Sequence, residues 1–173
     1  MSGTPLRDSA GYVAVLGGGA DVVTTIGGLA LAALTAAVLA PRSRVLVGGT
    51  GLALAVVVGV TVVPVGGWRR FALTGAARDS IVANLHPRPG DLSAWATTAD
   101  GPLNVALLVP LGFFLALLLR RPSTAAVAAV ALSVAIECYQ SALTTRVGAF
   151  ADVVSNSLGA LLGAAVPTTR SPS

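Results

Sequence analysis

The sequence predicts an all-α fold: a polytopic transmembrane helical bundle of about five spans, with an irregular or interfacial extracytoplasmic loop. Three observations predict it. Residues AVILMFWYC make up 54% of the 173 and charged residues only 10%, about half the charge of a soluble domain, and disordered chains need the opposite balance. The few charges fall between long uncharged blocks. Those blocks have the length of a hydrocarbon core of about 30 Å, which takes roughly 20 residues of helix.

The elements follow in chain order. Gly17-Gly18-Gly19 before Asp21 reads as a flexible entry, since no strand and no G-x-G-x-x-G turn surrounds it. Val22 to Pro41 is uncharged for 20 residues and predicts a helix over about 20–40. A signal peptide is disfavoured there, because Asp21 stands where a basic n-region would be. Val45 to Trp68 gives 24 uncharged residues and a helix over about 45–63. Strands compete for Val-rich runs such as Ala55 to Val65, but backbone polar groups in lipid must be satisfied within one segment, which favours helices. Gly101 to Leu119 supplies 19 residues, Pro122 to Thr145 supplies 24 interrupted by Glu137, and Val153 to Thr169 supplies 17. These predict helices over about 102–119, 123–143 and 152–167.

The chain thus divides into an N-terminal tail with two spans (1–63), a polar linker (64–101), a three-helix core (102–167) and a short tail (168–173). The linker's 38 residues exceed the usual length of a structureless loop. An interfacial piece is expected, with Trp68, Phe71 and Leu73 before Gly75, and Trp95 after the Pro87/Pro89 turn, at headgroup level. A disordered loop with two stray tryptophans is the alternative.

Eleven Arg, no Lys and seven acids leave a net charge of +4. Lying between apolar blocks, the arginines read as flanks of membrane spans rather than as a phosphate-binding patch, so no nucleic-acid partner is expected. The short loops at Arg42/Arg44 and Arg120/Arg121, with Arg170, carry no acid, whereas Arg7, Arg69, Arg70, Arg78, Arg88 and Arg146 share their side with six Asp. Short loops weigh most in setting topology. The N-terminus is therefore expected outside and the C-terminus in the cytoplasm. The lone Cys138 excludes an intramolecular disulfide and a multi-cysteine metal site.

Polar side chains inside the last three spans need a reason, since a charge at the bilayer centre costs about 3 kcal/mol. Glu137 must be paired or protonated; Ser133 and Gln140 share its helical face. Asp152, Asn156, Gly159 and Gly163 run down one side of the last helix, and the GxxxG pair lets a neighbouring backbone approach closely. Asn104 and Gly112 are nearly aligned in the third span, where Pro110 deprives the Ala106 carbonyl of its helical donor and predicts a kink. Asn104, Glu137, Gln140, Arg146, Asp152 and Asn156 all fall toward the membrane side opposite the Arg120/Arg121 turn, which the charge sorting makes extracytoplasmic. Arg146 is the natural counter-charge for Glu137 or Asp152.

The run Asn104-Val-Ala-Leu-Leu-Val-Pro110-Leu-Gly112, then Glu137-Cys-Tyr-Gln140, then Arg146 with Asp152-Val-Val-Ser-Asn156-Ser-Leu-Gly159-Ala-Leu-Leu-Gly163, resembles the VanZ-like family of bacterial membrane proteins over about residues 84–166. Asn84-Leu85-His86-Pro87 is similar to the family's N-L-x-P loop, with Arg88 in place of the usual aromatic. Ala149 and Ala151 stand where the family commonly has Asp, leaving Asp152 as the only acid after Arg146. The resemblance implies a place in the cell envelope and a phenotype, low-level tolerance of teicoplanin-type glycopeptides, rather than a reaction.

Three readings of the polar cluster compete. It binds a lipid headgroup or cell-wall precursor, as a partly solvated cleft with an arginine suits; it is a clasp that only holds helices; or Glu137 serves as acid or base in a membrane-embedded enzyme acting on a lipid-linked substrate. The leading expectation is a non-enzymatic binding or accessory role. The enzyme reading lacks a second carboxylate at catalytic spacing, and the only histidine, His86, reads as a solvated turn residue. Cys138 reads as a small core residue, no metal or other cofactor is implied, and membrane lipids are the expected partners.

Overall fold

Once an apolar run enters lipid, its peptide groups have no water to bond, and a helix satisfies them within the run itself. The computed structural model describes residues 19–40, 43–88, 100–143 and 148–166, and builds them from six α-helices and one 3-10 turn. These are α1 (Gly19–Leu39), α2 (Arg44–Val62), the 3-10 turn Trp68–Arg70, α3 (Ala77–Leu85), α4 (Asp100–Leu119), α5 (Pro122–Ala142) and α6 (Phe150–Ala165). The five long helices lie within two residues of their expected bounds.

Four of them, α1, α2, α4 and α5, are long and apolar enough to cross a membrane. The fifth, α6, has 16 residues and measures about 24 Å, below a full crossing. It begins inside the bundle. The Ala149 N–H at its start donates to Glu137 Oε2 at 3.1 Å, and Glu137 lies five residues, about 7.5 Å, before the end of α5. At its other end Ala164 packs with Ala116 and Ala125 near the α4–α5 turn. Its missing length is therefore all at the Glu137 end.

The core is shared between α2 and the last three helices: Val57, Leu108, Leu111, Ala129, Ile136 and Ala160 form one buried cluster. The tightest seam joins α4 and α6. A methyl group on Gly159 would strike the Val105 carbonyl, one on Gly163 the Val109 carbonyl, and one on Gly112 the Ala160 carbonyl. Helix α4 continues through Pro110. Helix α1 packs on α2 and leaves most of its surface outside the bundle. Its first turn is tied down where Asp21 Oδ2 accepts the Trp68 N–H at 2.7 Å and Thr25 Oγ1 accepts the indole N–H at 3.1 Å. Gly67, at φ 88, has no side chain to collide with that carboxylate.

The linker holds the 3-10 turn and α3, and α3 packs against α5. Leu73 bridges Leu143, and the Thr74 N–H donates to the Ala142 carbonyl at 2.8 Å, so the linker folds over the end of α5. Trp68, Phe71 and Leu73 are exposed; Trp95 lies outside the described residues. His86 is exposed at the end of α3.

The seam makes a prediction. Gly163→Ala pushes a methyl group into α4 backbone and should destabilise by about 1–3 kcal/mol, whereas Gly28→Ala, where nothing lies within 4 Å, should be neutral or stabilise by a few tenths up to about 1 kcal/mol. Thermal unfolding of the two variants in detergent checks it; equal effects would remove the seam.

Candidate functional site

One end of the bundle gathers the end of α2, the start of α4, the end of α5 and the start of α6. Every helix that stops there leaves backbone groups without an intrahelical partner, and in lipid these need acceptors or donors from elsewhere. Glu137, only 2% exposed, provides one. Its Oε2 accepts the Ala149 N–H, and its Oε1 accepts Asn156 Nδ2 at 3.3 Å. Ala149 has no side chain able to cap α6, so the carboxylate does so from α5. Gly148 makes the approach possible, because a side chain at that position would strike the Glu137 carbonyl and the Ser141 hydroxyl.

The seam brings a second pair together. Asn104 Nδ2 donates to Asp152 Oδ1 at 2.8 Å, tying the second turn of α4 to the first turn of α6. Ser133 Oγ donates to the Val153 carbonyl at 3.3 Å. Asp152 and Asn156 lie one turn apart on α6, so the two pairs are neighbours.

Gln140 departs from the expected cleft. It is buried on the Glu137 side of α5, but its Nε2 donates to the Thr61 carbonyl at 2.9 Å, and the Tyr139 hydroxyl donates to the Val62 carbonyl at 3.0 Å. These two carbonyls close α2 and have no helical donor beyond them. Gln140 therefore caps α2 rather than joining the Glu137 pair. Tyr139, Thr61 and Gly148 were not singled out by sequence; a tyrosine beside a glutamine at a helix end was the available signal, since a buried phenol needs a partner. Arg146 lies outside the described residues. The structure thus joins Glu137 to Asn156 and Asn104 to Asp152, and sends Gln140 to α2.

Two buried polar atoms beside Glu137 have no hydrogen-bond partner, Asn156 Oδ1 and Ser141 Oγ. Among the described residues no group of three or more His, Cys, Asp or Glu could hold a metal ion.

The sequence profile of VanZ/LLP1 matches residues 29–169. The chain belongs to the VanZ/LLP1 family. The match starts within α1, well before the motifs at 84–166, and so takes in α2, whose Val57 shares the core with α4, α5 and α6. No curated protein and no solved structure matches the chain. The N-x5-P-x-G and D-x3-N-x2-G runs of this sequence fall on the α4–α6 seam and on both polar pairs.

Truncation separates bonding from charge at Glu137. Glu137→Ala strips the Ala149 N–H and the Asn156 amide of their acceptor and should destabilise by about 2–6 kcal/mol, at roughly 1–3 kcal/mol per buried group left unpaired. Glu137→Gln keeps an acceptor for Ala149, and a flipped Asn156 offers its Oδ1 to the new amide, so less than half that loss is expected. Thermal unfolding in detergent checks both, and equal losses would show that these bonds are not what Glu137 supplies.

Proposed function

We propose that this VanZ-family membrane protein acts in cell-envelope chemistry without catalysing a reaction, by holding a lipid headgroup or cell-wall precursor at the helix ends around Glu137, and that it thereby contributes to tolerance of teicoplanin-type glycopeptides. The observation that carries this reading is the open hydrogen-bonding capacity beside a pinned carboxylate: Asn156 Oδ1 and Ser141 Oγ are buried and unpartnered next to Glu137. Unsatisfied buried polar atoms in a native site call for an explanation such as water or a ligand. Both carboxylate oxygens already take hydrogen bonds from α6, which suits an anchor better than a group that exchanges protons with a substrate.

The arginine sorting supports an orientation with this end of the bundle outside and the Arg120/Arg121 turn in the cytoplasm, the side on which glycopeptides act. A scaffold is the second reading, favoured by the bonds that tie α4 to α6 and α5 to α2. In that case the polar residues only let the helices stop and hold.

Tolerance and stability separate the readings. In a susceptible host expressing the protein, Glu137→Gln and Asp152→Asn should each return the teicoplanin inhibitory concentration to the level of the empty host, while detergent extracts still contain folded protein. Inhibitory concentrations unchanged by both substitutions would sink the binding reading, and parallel loss of fold and tolerance would favour the scaffold. For orientation, Gly75→Cys in a Cys138→Ser background places a thiol in the exposed linker. A membrane-impermeant maleimide should label it in intact cells; labelling only after lysis would invert the topology.

A further inference from the structure

On the side of α4 away from the glycine seam, α2 and α4 leave a crevice of about 380 Å³ lined by Gly49, Ala53, Val56, Ala106, Pro110 and Phe114, among others. Its volume is within the range of ligand pockets, about 300–1,000 Å³. Small side chains make it: Gly49, Ala53 and Ala106 fill little of the space between the helices. Ala106 and Pro110 are exposed, so the crevice opens to the outside of the bundle, where hydrocarbon surrounds two membrane-spanning helices.

Charge stands at one end of this crevice. A methyl group on Gly49 would strike the Phe114 ring, which fixes those two residues at one depth. Arg44 lies five residues before Gly49, about 7.5 Å along α2, and Leu119 lies five after Phe114, about 7.5 Å along α4, with Arg120 next in the chain. Each wall therefore ends in an exposed arginine at a matching depth, with helix axes some 8–10 Å apart. Arg120 takes a left-handed conformation, φ 53, directly after α4 stops. Two arginines at the same end of an apolar slot match a phosphate joined to an acyl chain. A helix from a second copy matches less well, because copies inserted in one orientation would bring like arginines to the same end.

We infer that this crevice is a binding site for an anionic phospholipid of the leaflet bordering the α4–α5 turn, with one acyl chain between α2 and α4 and the phosphate between Arg44 and Arg120. The site lies at the opposite end of the bundle from Glu137 and does not depend on the function proposed for that cluster.

Native mass spectrometry of the purified full chain, titrated with phosphatidylglycerol or phosphatidylcholine of identical chains, tests it. The unaltered protein should bind phosphatidylglycerol about tenfold more tightly, a difference of about 1.4 kcal/mol. Exposed Arg44→Gln with Arg120→Gln should abolish that preference, while Arg69→Gln with Arg70→Gln at the other end should leave it intact. Ala106→Phe, which fills the slot from its lipid side, should weaken phosphatidylglycerol binding about fivefold or more. Equal affinity of the unaltered protein for the two lipids, preference surviving in the Arg44/Arg120 variant, or a lipid-free dimer would each overturn the assignment.

Discussion

A helix that ends inside lipid must find partners for the peptide groups it leaves behind, and much of this molecule is arranged around that requirement. Helix α6 begins at the depth of Glu137, and the Glu137 carboxylate accepts the N–H at its start. Helix α2 ends with two carbonyls that Gln140 and Tyr139 satisfy. Helix α5 ends on a carbonyl taken by Thr74 from the linker. The polar residues that stand out against an apolar background are, in their first role, what allows these helices to stop where they do. Their chemistry toward a ligand has to be built on atoms left over from that task, and Asn156 Oδ1 and Ser141 Oγ are such atoms.

The seam between α4 and α6 places those residues. With no side chain at Gly112, Gly159 or Gly163, the two backbones approach until Cβ atoms would collide with carbonyls, and this closeness lets short Asn104 and Asp152 side chains meet at 2.8 Å. Dispersion and polar contacts drive helix association in lipid, where burying apolar surface gains little. In this chain Asn104, Asp152 and the glycines of the seam thus form a packing surface and its polar termini as one unit.

The long helices were legible because charge spacing alone delimits them: Asp21, Arg44, Arg120 and Asp152 stand within a few residues of helix ends. The end of the bundle at which the polar groups gather followed from alternating crossings. The short α3 was not legible as a helix, since its nine residues balance polar against apolar and Ala76 gives no capping signal. Within the cluster, sequence placed Gln140 and Glu137 on one helical face but not their partners. Gln140 reaches a carbonyl 79 residues away, and nothing local to either residue specifies that meeting. The Asp21 to Trp68 bond was equally hidden; it depends on a turn of two glycines at positive φ.

The shortness of α6 has a consequence for the membrane itself. Leu158, Leu161 and Leu162 face outward from it, and acyl chains beside them meet an apolar wall roughly 7 Å shorter than the one along α1. Hydrophobic mismatch of this kind is relieved when the bilayer thins or tilts locally. The deficit lies at the Glu137 end, so any such relief would fall on the leaflet at that end. A molecule embedded in a leaflet thinned in this way would lie nearer the depth of the Glu137 carboxylate.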